Sequence, residues 1–157
     1  IKDIKDEDFA NYKKPSMYIA FPSCTFKCER ECGQKMCQNS SLVQAPTLAI
    51  GVHSIVSKYI DNPITSAIVV GGLEPFDSEE DLQTLISYLR VSTQDDIVIY
   101  TGYTKVELQE REIYQYLLNT KNIIIKFGRF IPNQQSHYDD VLGINLVSGN
   151  QYAERIS

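Results

Sequence analysis

The sequence lacks the patterns that mark several large classes of protein. No apolar run approaches the roughly 20 residues that span a membrane, and no signal-peptide pattern opens the chain. Basic residues do not dominate, since 15 Lys and Arg stand against 20 Asp and Glu for a net charge of -5. This balance argues against broad binding to nucleic acid or to an anionic membrane. We therefore expect a soluble, cytoplasmic protein that forms one domain over residues 1–157.

Common catalytic motifs are also missing. The chain has 2 histidines, His53 and His137. Neither has a second histidine nearby or the spacing of a Ser–His–Asp arrangement, so we interpret both as structural or exposed residues. No phosphate-binding loop that ends in Gly-Lys is present. Cysteine is absent from the whole chain except for residues 24–37, so the reactive groups of the sequence are concentrated in one short segment.

Four cysteines, Cys24, Cys28, Cys32 and Cys37, lie in the loop 23–41. Disulfides are rare in the reducing cytosol, and bridges within this segment would close only short loops, so metal binding is favoured. The spacing Cys-x3-Cys-x3-Cys-x4-Cys contains no Cys-x2-Cys pair, which zinc sites usually have. Three alternatives remain: a structural zinc, an electron-transfer cluster with four thiolate ligands, and a cluster with three cysteine ligands and one open iron.

Beyond the cysteines, apolar runs alternate with amphipathic segments. Strands are predicted at 16–21, 66–72, 96–102 and 122–128, and helices at 52–60, 77–90 and 104–119. Buried strands separated by helices predict an α/β fold with a parallel sheet, which binds ligands where its strands end. The C-terminal tail 129–157, with a last strand at 142–147, is expected to wrap around that rim.

The cysteine loop resembles the signature of the radical S-adenosylmethionine (SAM) enzymes, and especially that of the activating enzymes of anaerobic (class III) ribonucleotide reductase. The similar residues are "CTFKC" at 24–28 and "CQN" at 37–39, with "ERECGQKM" inserted between them. The resemblance implies Cys24, Cys28 and Cys37 as ligands of a 4Fe-4S cluster. Cys32 stays open as the alternative third ligand, because spacing alone favours it over Cys37.

Three further segments extend the resemblance over nearly the whole chain. "GGLEPF" (71–76) is similar to the family's Gly-Gly-Glu motif, which receives the methionine amino group of SAM, although Leu73 intervenes here. "IYTGYT" (99–104) resembles a segment near the sugar of SAM, and "IKFGRF" (125–130) with "VSGNQYAERI" (147–156) resembles the closing motifs. The SAM-binding residues implied by the resemblance are Gly71, Gly72, Glu74, Tyr100, Thr101, Gly102, Tyr103, Ser148, Asn150 and Gln151.

The resemblance also implies a fold and a function. The fold is an incomplete (β/α) barrel of mainly parallel strands, and the function is reductive cleavage of SAM to a 5′-deoxyadenosyl radical. So short a barrel stays open, which suits a macromolecular substrate. We therefore expect a glycyl-radical enzyme, anaerobic ribonucleotide reductase, as partner and a flavodoxin- or ferredoxin-like electron donor. The alternatives are radical SAM chemistry on another protein or peptide, and a non-enzymatic module that binds zinc or an iron–sulfur cluster.

Overall fold

A six-stranded sheet forms the centre of the structure, a computed structural model that describes residues 1–157. The strands are β1 (Asp3–Asp8), β2 (Ser16–Phe21), β3 (Ala67–Gly72), β4 (Asp96–Tyr100), β5 (Ile123–Phe127), β6 (His137–Asp139), β7 (Ile144–Leu146) and β8 (Tyr152–Arg155). The helices are α1 (Lys27–Cys32), α2 (Ser40–Gln44), α3 (Val52–Ile60), α4 (Glu79–Ser92), α5 (Lys105–Gln109) and α6 (Glu112–Leu118). A 3-10 turn at Pro75–Asp77 precedes α4.

The order of the strands across the sheet is β1-β2-β3-β4-β5-β8. The four central strands, β2 to β5, are parallel, whereas β1 and β8 pair antiparallel at the two edges. A separate antiparallel hairpin joins β6 to β7. The sequence-based prediction of a mixed α/β architecture with a mostly parallel sheet is therefore confirmed. The physical basis is the burial of every residue of β3 and β5, which the continuous apolar runs predicted.

Several elements differ from the prediction. The predicted helix 104–119 is two helices, because Arg111 leaves the helical conformation (ψ 141°) and its guanidinium donates to the carbonyl of Phe76 at 3.1 Å and to Glu79 at 2.9 Å. The predicted strand 142–147 shortens to β7. The edge strands β1 and β8 were not predicted, because their sequences, "DIKDED" and "YAER", are rich in charge, as partly solvated edge strands often are.

The two faces of the sheet are covered by different material. Alternate strand residues such as Ile68 and Val70 face the helices and pack with buried residues of α3, α4, α5 and α6. Residues between them, such as Val69, face the opposite side, where Leu142 and Leu146 of the tail pack. The tail was expected to wrap the rim, but this part of it covers the helix-free face instead. None of the helices combines the length and the apolar character needed to cross a membrane.

The end of β3 requires a glycine for two reasons. Gly72 has a φ of 92°, and a Cβ added there would lie 2.7 Å from the Cα of Ala20 and from the backbone nitrogen of Phe21 on β2. The left-handed conformation and the close backbone leave no space for a side chain. The close packing of β3 against β2 fixes the position of the turn that follows, and that turn forms part of the site described below.

We predict that Gly72→Ala lowers the free energy of unfolding by about 2–4 kcal/mol, because it adds backbone strain to overpacking. Urea unfolding followed by circular dichroism measures the change. Gly51→Ala is the matched control, since a Cβ at Gly51 meets no atom within 4 Å and only a small helix-cap effect is expected there. Equal losses in the two variants would contradict this account of the β3 end.

Candidate metal centre at the strand ends

A cavity of about 270 Å³ lies at the carboxyl ends of the parallel strands, between the cysteine loop and the sheet. The sequence-predicted residues that line it are Cys24, Cys28, Cys37, Gly72, Glu74, Tyr100, Thr101, Gly102, Tyr103 and Gln151. Those outside its lining are Cys32, Gly71, Ser148 and Asn150. The structure thus brings residues from four separate segments of the chain to one place, as expected for the rim of a parallel sheet.

The cysteine loop folds back on itself so that Cys37 returns to the cavity. Cys28 lies in helix α1, which ends at Cys32, and Gly33 then adopts a φ of 65° and donates its N–H to the carbonyl of Glu29. The side-chain Oε1 of Glu29 accepts the backbone N–H of Cys37 at 3.0 Å and that of Met36 at 3.2 Å. The inserted residues are therefore accommodated as a short helix with a return turn. Cys32 at the end of that helix is exposed.

The three thiols at the cavity are partly buried, and for Cys24 and Cys28 burial favours the neutral form. Burial raises the pKa of Cys24 to about 11, and burial also raises the pKa of Cys28. The backbone N–H of Phe26 approaches the Sγ of Cys24 at 3.2 Å and partly offsets this effect. Metal binding would release the thiol protons, because the thiolate is the ligand.

The spacing of these thiols bears on the kind of metal centre that they could hold. No group of three His, Cys, Asp or Glu side chains is placed to hold one metal ion. A tetrahedral zinc with Zn–S bonds of about 2.3 Å draws its sulfur ligands to within about 4 Å of one another. A four-iron cluster is larger and holds its thiolates farther apart. Three thiols that share one cavity without converging on one point are compatible with such a cluster.

Backbone and side-chain hydrogen bonds fasten the cysteine loop to the strand ends. The side-chain amide of Asn39 donates to the carbonyl of Gly72 at 2.5 Å. At the other end of the loop, the N–H of Thr25 donates to Asp77 at 2.7 Å. Asp77 also accepts the hydroxyl of Tyr103 at 2.6 Å. The two ends of the loop are therefore attached to the end of β3 and to the 3-10 turn that follows it.

The predicted helix 77–90 begins at Asp77, an acidic residue of the kind that often caps a helix, but α4 begins at Glu79. Asp77 is the last residue of the 3-10 turn, and Ser78 precedes α4 as its N-cap. The carboxylate of Asp77 points instead to the cysteine loop and to Tyr103. An acidic residue just before a helix is also typical of a helix cap. The sequence alone therefore could not distinguish a capping role for Asp77 from its contacts with the cysteine loop and Tyr103.

An ion network completes the attachment of helix α1. Glu107 forms ion pairs with Lys27 of that helix and with Arg129, whose Nη2 lies 2.6 Å from its Oε1. Arg129 also pairs with Glu31 at 3.2 Å. The hydrogen bond from Arg129 holds the pKa of Glu107 far below its ordinary value, so this carboxylate stays charged. Sequence reasoning missed these contacts, because charged residues in separate segments give no local signal of their pairing.

Glu74 is buried, and its carboxylate accepts three hydrogen bonds. Its Oε1 accepts the hydroxyl of Thr101 at 2.8 Å and the N–H of Phe76 at 3.2 Å, and its Oε2 accepts the N–H of Gly102 at 2.8 Å. Burial raises the pKa of this carboxyl to about 7, although the three hydrogen bonds act in the opposite direction. The carboxylate therefore joins the end of β3 to the end of β4.

The tail residues implied by the resemblance have two different positions. Ser148 accepts the N–H of Ile131 at 3.4 Å, and Asn150 donates to the carbonyl of Arg129 at 2.8 Å. These bonds fold the tail against the segment after β5. Gln151 lines the cavity, and its amide donates to the carbonyl of Gly128 at 3.3 Å.

The chain matches the sequence model of a protein family described as a 4Fe-4S single cluster domain, over residues 16–151. Because this match covers most of the chain, the protein belongs to that family. It is an iron–sulfur protein by family, and the predicted 4Fe-4S cluster and metal-binding character are supported. Comparisons with curated proteins and with solved structures found no match.

The raised pKa of Glu74 predicts a pH dependence of stability. The folded protein holds the Glu74 proton more tightly than the unfolded chain, so its contribution is full below the ordinary value of 4.5 and is lost as the pH rises through about 7. We expect the unfolding free energy of the wild type to fall over this range by up to about 3 kcal/mol relative to Glu74→Gln, which cannot ionise.

Urea unfolding of the metal-free, reduced protein at several pH values between 4 and 8 measures this difference. In Glu74→Gln the side-chain amide replaces the carboxylate near the N–H of Gly102. This replacement changes the unfolding free energy by an amount that does not vary with pH. A parallel pH dependence in the two proteins would show that Glu74 keeps its ordinary pKa.

Proposed function

We propose that this protein is a radical SAM enzyme whose cluster is held by Cys24, Cys28 and Cys37. One observation carries the proposal: these three thiols line the same cavity as the strand-end segments that resemble SAM-binding motifs. The family description as a single 4Fe-4S cluster domain agrees with it. The exposed position of Cys32, outside the cavity lining, favours Cys37 as the third ligand.

Three protein ligands suit this chemistry because a four-iron cluster then keeps one iron without a thiolate. The amino and carboxylate groups of SAM can occupy that position, and a fourth permanent thiolate would block it. When bound and reduced, the cluster supplies the electron that breaks the sulfur–C5′ bond of SAM, giving methionine and a 5′-deoxyadenosyl radical. The protein itself contributes ligation, orientation of SAM and exclusion of water.

The strand ends offer suitable partners for the rest of SAM. Thr101 and Gly102 follow β4, with Tyr100 and Tyr103 on either side, whose rings offer flat faces for adenine and ribose. The carboxylate of Glu74 already accepts three hydrogen bonds. We therefore assign the N–H groups of the methionine amino group to backbone carbonyls of the turn that begins at Gly72, with Glu74 holding that turn in position.

The architecture suits a macromolecular substrate. One part of a (β/α) barrel contains parallel strands in consecutive order with helices on one face, and the four central strands have this arrangement. The sheet does not close, because β1 and β8 form its two edges. So few strands leave little protein to enclose a small substrate. The substrate that we propose is the glycyl loop of an anaerobic ribonucleotide reductase, with a flavodoxin- or ferredoxin-like protein as electron donor.

The ligand assignment predicts different outcomes for the four cysteines. After anaerobic reconstitution with iron and sulfide, Cys24→Ala, Cys28→Ala and Cys37→Ala should lose most of the bound iron and the brown colour, because each removes a thiolate. Cys32→Ala is the matched control and should keep both. Iron analysis and visible absorption measure the result. Retention of the cluster in Cys37→Ala together with its loss in Cys32→Ala would reverse the assignment of the third ligand.

The reaction itself is tested with the reconstituted protein, dithionite and SAM. We expect 5′-deoxyadenosine and methionine in equal amounts, measured by liquid chromatography, and no product without reductant. Addition of an anaerobic ribonucleotide reductase should then give a glycyl radical signal in electron paramagnetic resonance. SAM cleavage without that signal would indicate another protein or peptide as substrate. A brown protein that does not cleave SAM would be a non-enzymatic iron–sulfur module.

A further inference from the structure

The segment that follows the last cysteine is exposed although it is rich in apolar residues and carries no charge. No Asp, Glu, Lys or Arg occurs between Lys35 and Lys58, whereas charged residues make up 22% of the whole chain. Within this segment Val43, Leu48 and Ile50 are 37%, 44% and 40% exposed. Exposed apolar side chains on an uncharged stretch are typical of a surface that contacts another molecule.

Hydrogen bonds from the residues before β1 hold this segment in place. The N–H of Leu48 donates to the carbonyl of Ile1 at 2.7 Å, and the Nζ of Lys2 donates to the carbonyl of Ala45 at 2.6 Å. The segment is therefore ordered by its backbone while its apolar side chains stay exposed. A surface that is already ordered loses little conformational freedom when a partner binds.

Two cations of the cysteine loop have no acidic partner. Arg30 and Lys35 are exposed and form no ion pair, whereas the other charged residues of the loop are engaged within the protein, namely Lys27, Glu29 and Glu31. Residues 22–57 contain 3 Lys and Arg against 2 Asp and Glu, and the rest of the chain contains 12 against 18. The loop region is therefore cationic on a chain of net negative charge.

The exposed residues that flank Cys37 along the chain form a surface that we call the loop face: Arg30, Lys35, Val43, Pro46, Leu48 and Ile50. None of them lines the cavity, whereas Cys28 and Cys37 do. Arg30 and Lys35 are each two residues from one of these thiols along the chain. A molecule on the loop face would therefore lie close to the cluster and leave the cavity free for SAM and substrate.

We propose that the loop face binds an acidic one-electron carrier protein that reduces the cluster. Its free cations complement acidic residues around the cofactor of such a carrier, and its apolar residues suit the contact itself. A second copy of the chain would instead bring like cations together across a two-fold interface. The region 30–51 has 17 exposed residues, fewer than the roughly 20–30 on each side of a standard interface, and small interfaces are typical of transient electron-transfer complexes.

The transfer is a one-electron step. The reduced carrier loses one electron, the oxidised cluster gains it, and no bond forms or breaks. The proposal rests on the proposed function for the cluster and its electron donor, but it does not require the cleavage of SAM. The two proposals can therefore fail separately.

Binding is measured first, by nuclear magnetic resonance, with an isotope-labelled bacterial flavodoxin of acidic surface as the probe. Charge reversal at both cations, Arg30→Glu with Lys35→Glu, should weaken binding about tenfold at low ionic strength, and high salt should remove the difference. Lys121→Glu, at an exposed lysine outside the loop face, is the matched control. Leu48→Ser should weaken binding about threefold at any ionic strength, with the exposed Val91→Ser as its control.

Electron transfer is measured next, by stopped-flow absorption of the reconstituted protein. Reduction of the cluster by reduced flavodoxin should slow about tenfold in the double variant at low ionic strength. Reduction by dithionite, a small molecule that needs no docking surface, should not change. Equal iron content and circular dichroism of the variants show that the fold and the cluster are intact. Unchanged flavodoxin binding and unchanged reduction in the double variant would overturn the proposal.

Two other outcomes would overturn the proposal by assigning the loop face to another occupant. Loss of a dimer in Leu48→Ser, measured by sedimentation, with flavodoxin binding unchanged, would assign the face to a second copy. Loss of the glycyl radical signal with dithionite as reductant, again with flavodoxin binding unchanged, would assign it to the protein substrate. A wild type that shows the expected flavodoxin effects without cleaving SAM would contradict the proposed function and support the loop face.

Discussion

The buried Glu74 is the residue on which the arrangement of the site depends. Its backbone N–H donates to the carbonyl of Ser23 at 2.8 Å, at the start of the cysteine loop. Its carboxylate holds Thr101 and Gly102 at the end of β4. One residue thus connects three segments that are far apart in the sequence. An unsatisfied buried carboxylate is costly, so these bonds act together, and the turn, the loop and the strand end keep one relative position.

The inserted residues of the cysteine loop fold into a local helix and turn, so both ends of the loop remain attached at the strand ends. Glu29 and Gly33 close the inserted residues into a local unit, and Asn39 attaches the following segment to Gly72. Cys28 and Cys37 therefore line one cavity although eight residues separate them. The contacts of Glu31 and Lys27 with Arg129 and Glu107 are made by the α1 segment, so the insertion also contributes to its own attachment.

The sequence predicted the central strands well, because β2 to β5 are mostly apolar on both faces. A short apolar run of this kind is typical of a buried strand in a parallel sheet. The sequence could not predict β1 or β8, whose charged sequences pair only because the sheet offers them an edge. The break between α5 and α6 was missed for a similar reason, since Arg111 is drawn to Glu79 by tertiary contact. Lys126 did give a signal, a single charge in a buried run, but only the structure places it on the cavity wall.

The hairpin of β6 and β7 decides the direction from which the site can be reached. Leu142, Leu146 and Tyr12 fill the helix-free face against the lower halves of the strands. The cavity lies at the rim, beside the cysteine loop, beyond the part of the face that these residues cover. A flat protein surface would stop at the mouth of the cavity. A flexible segment that can detach from its own fold and enter the cavity in an extended form would reach the bottom of the cavity.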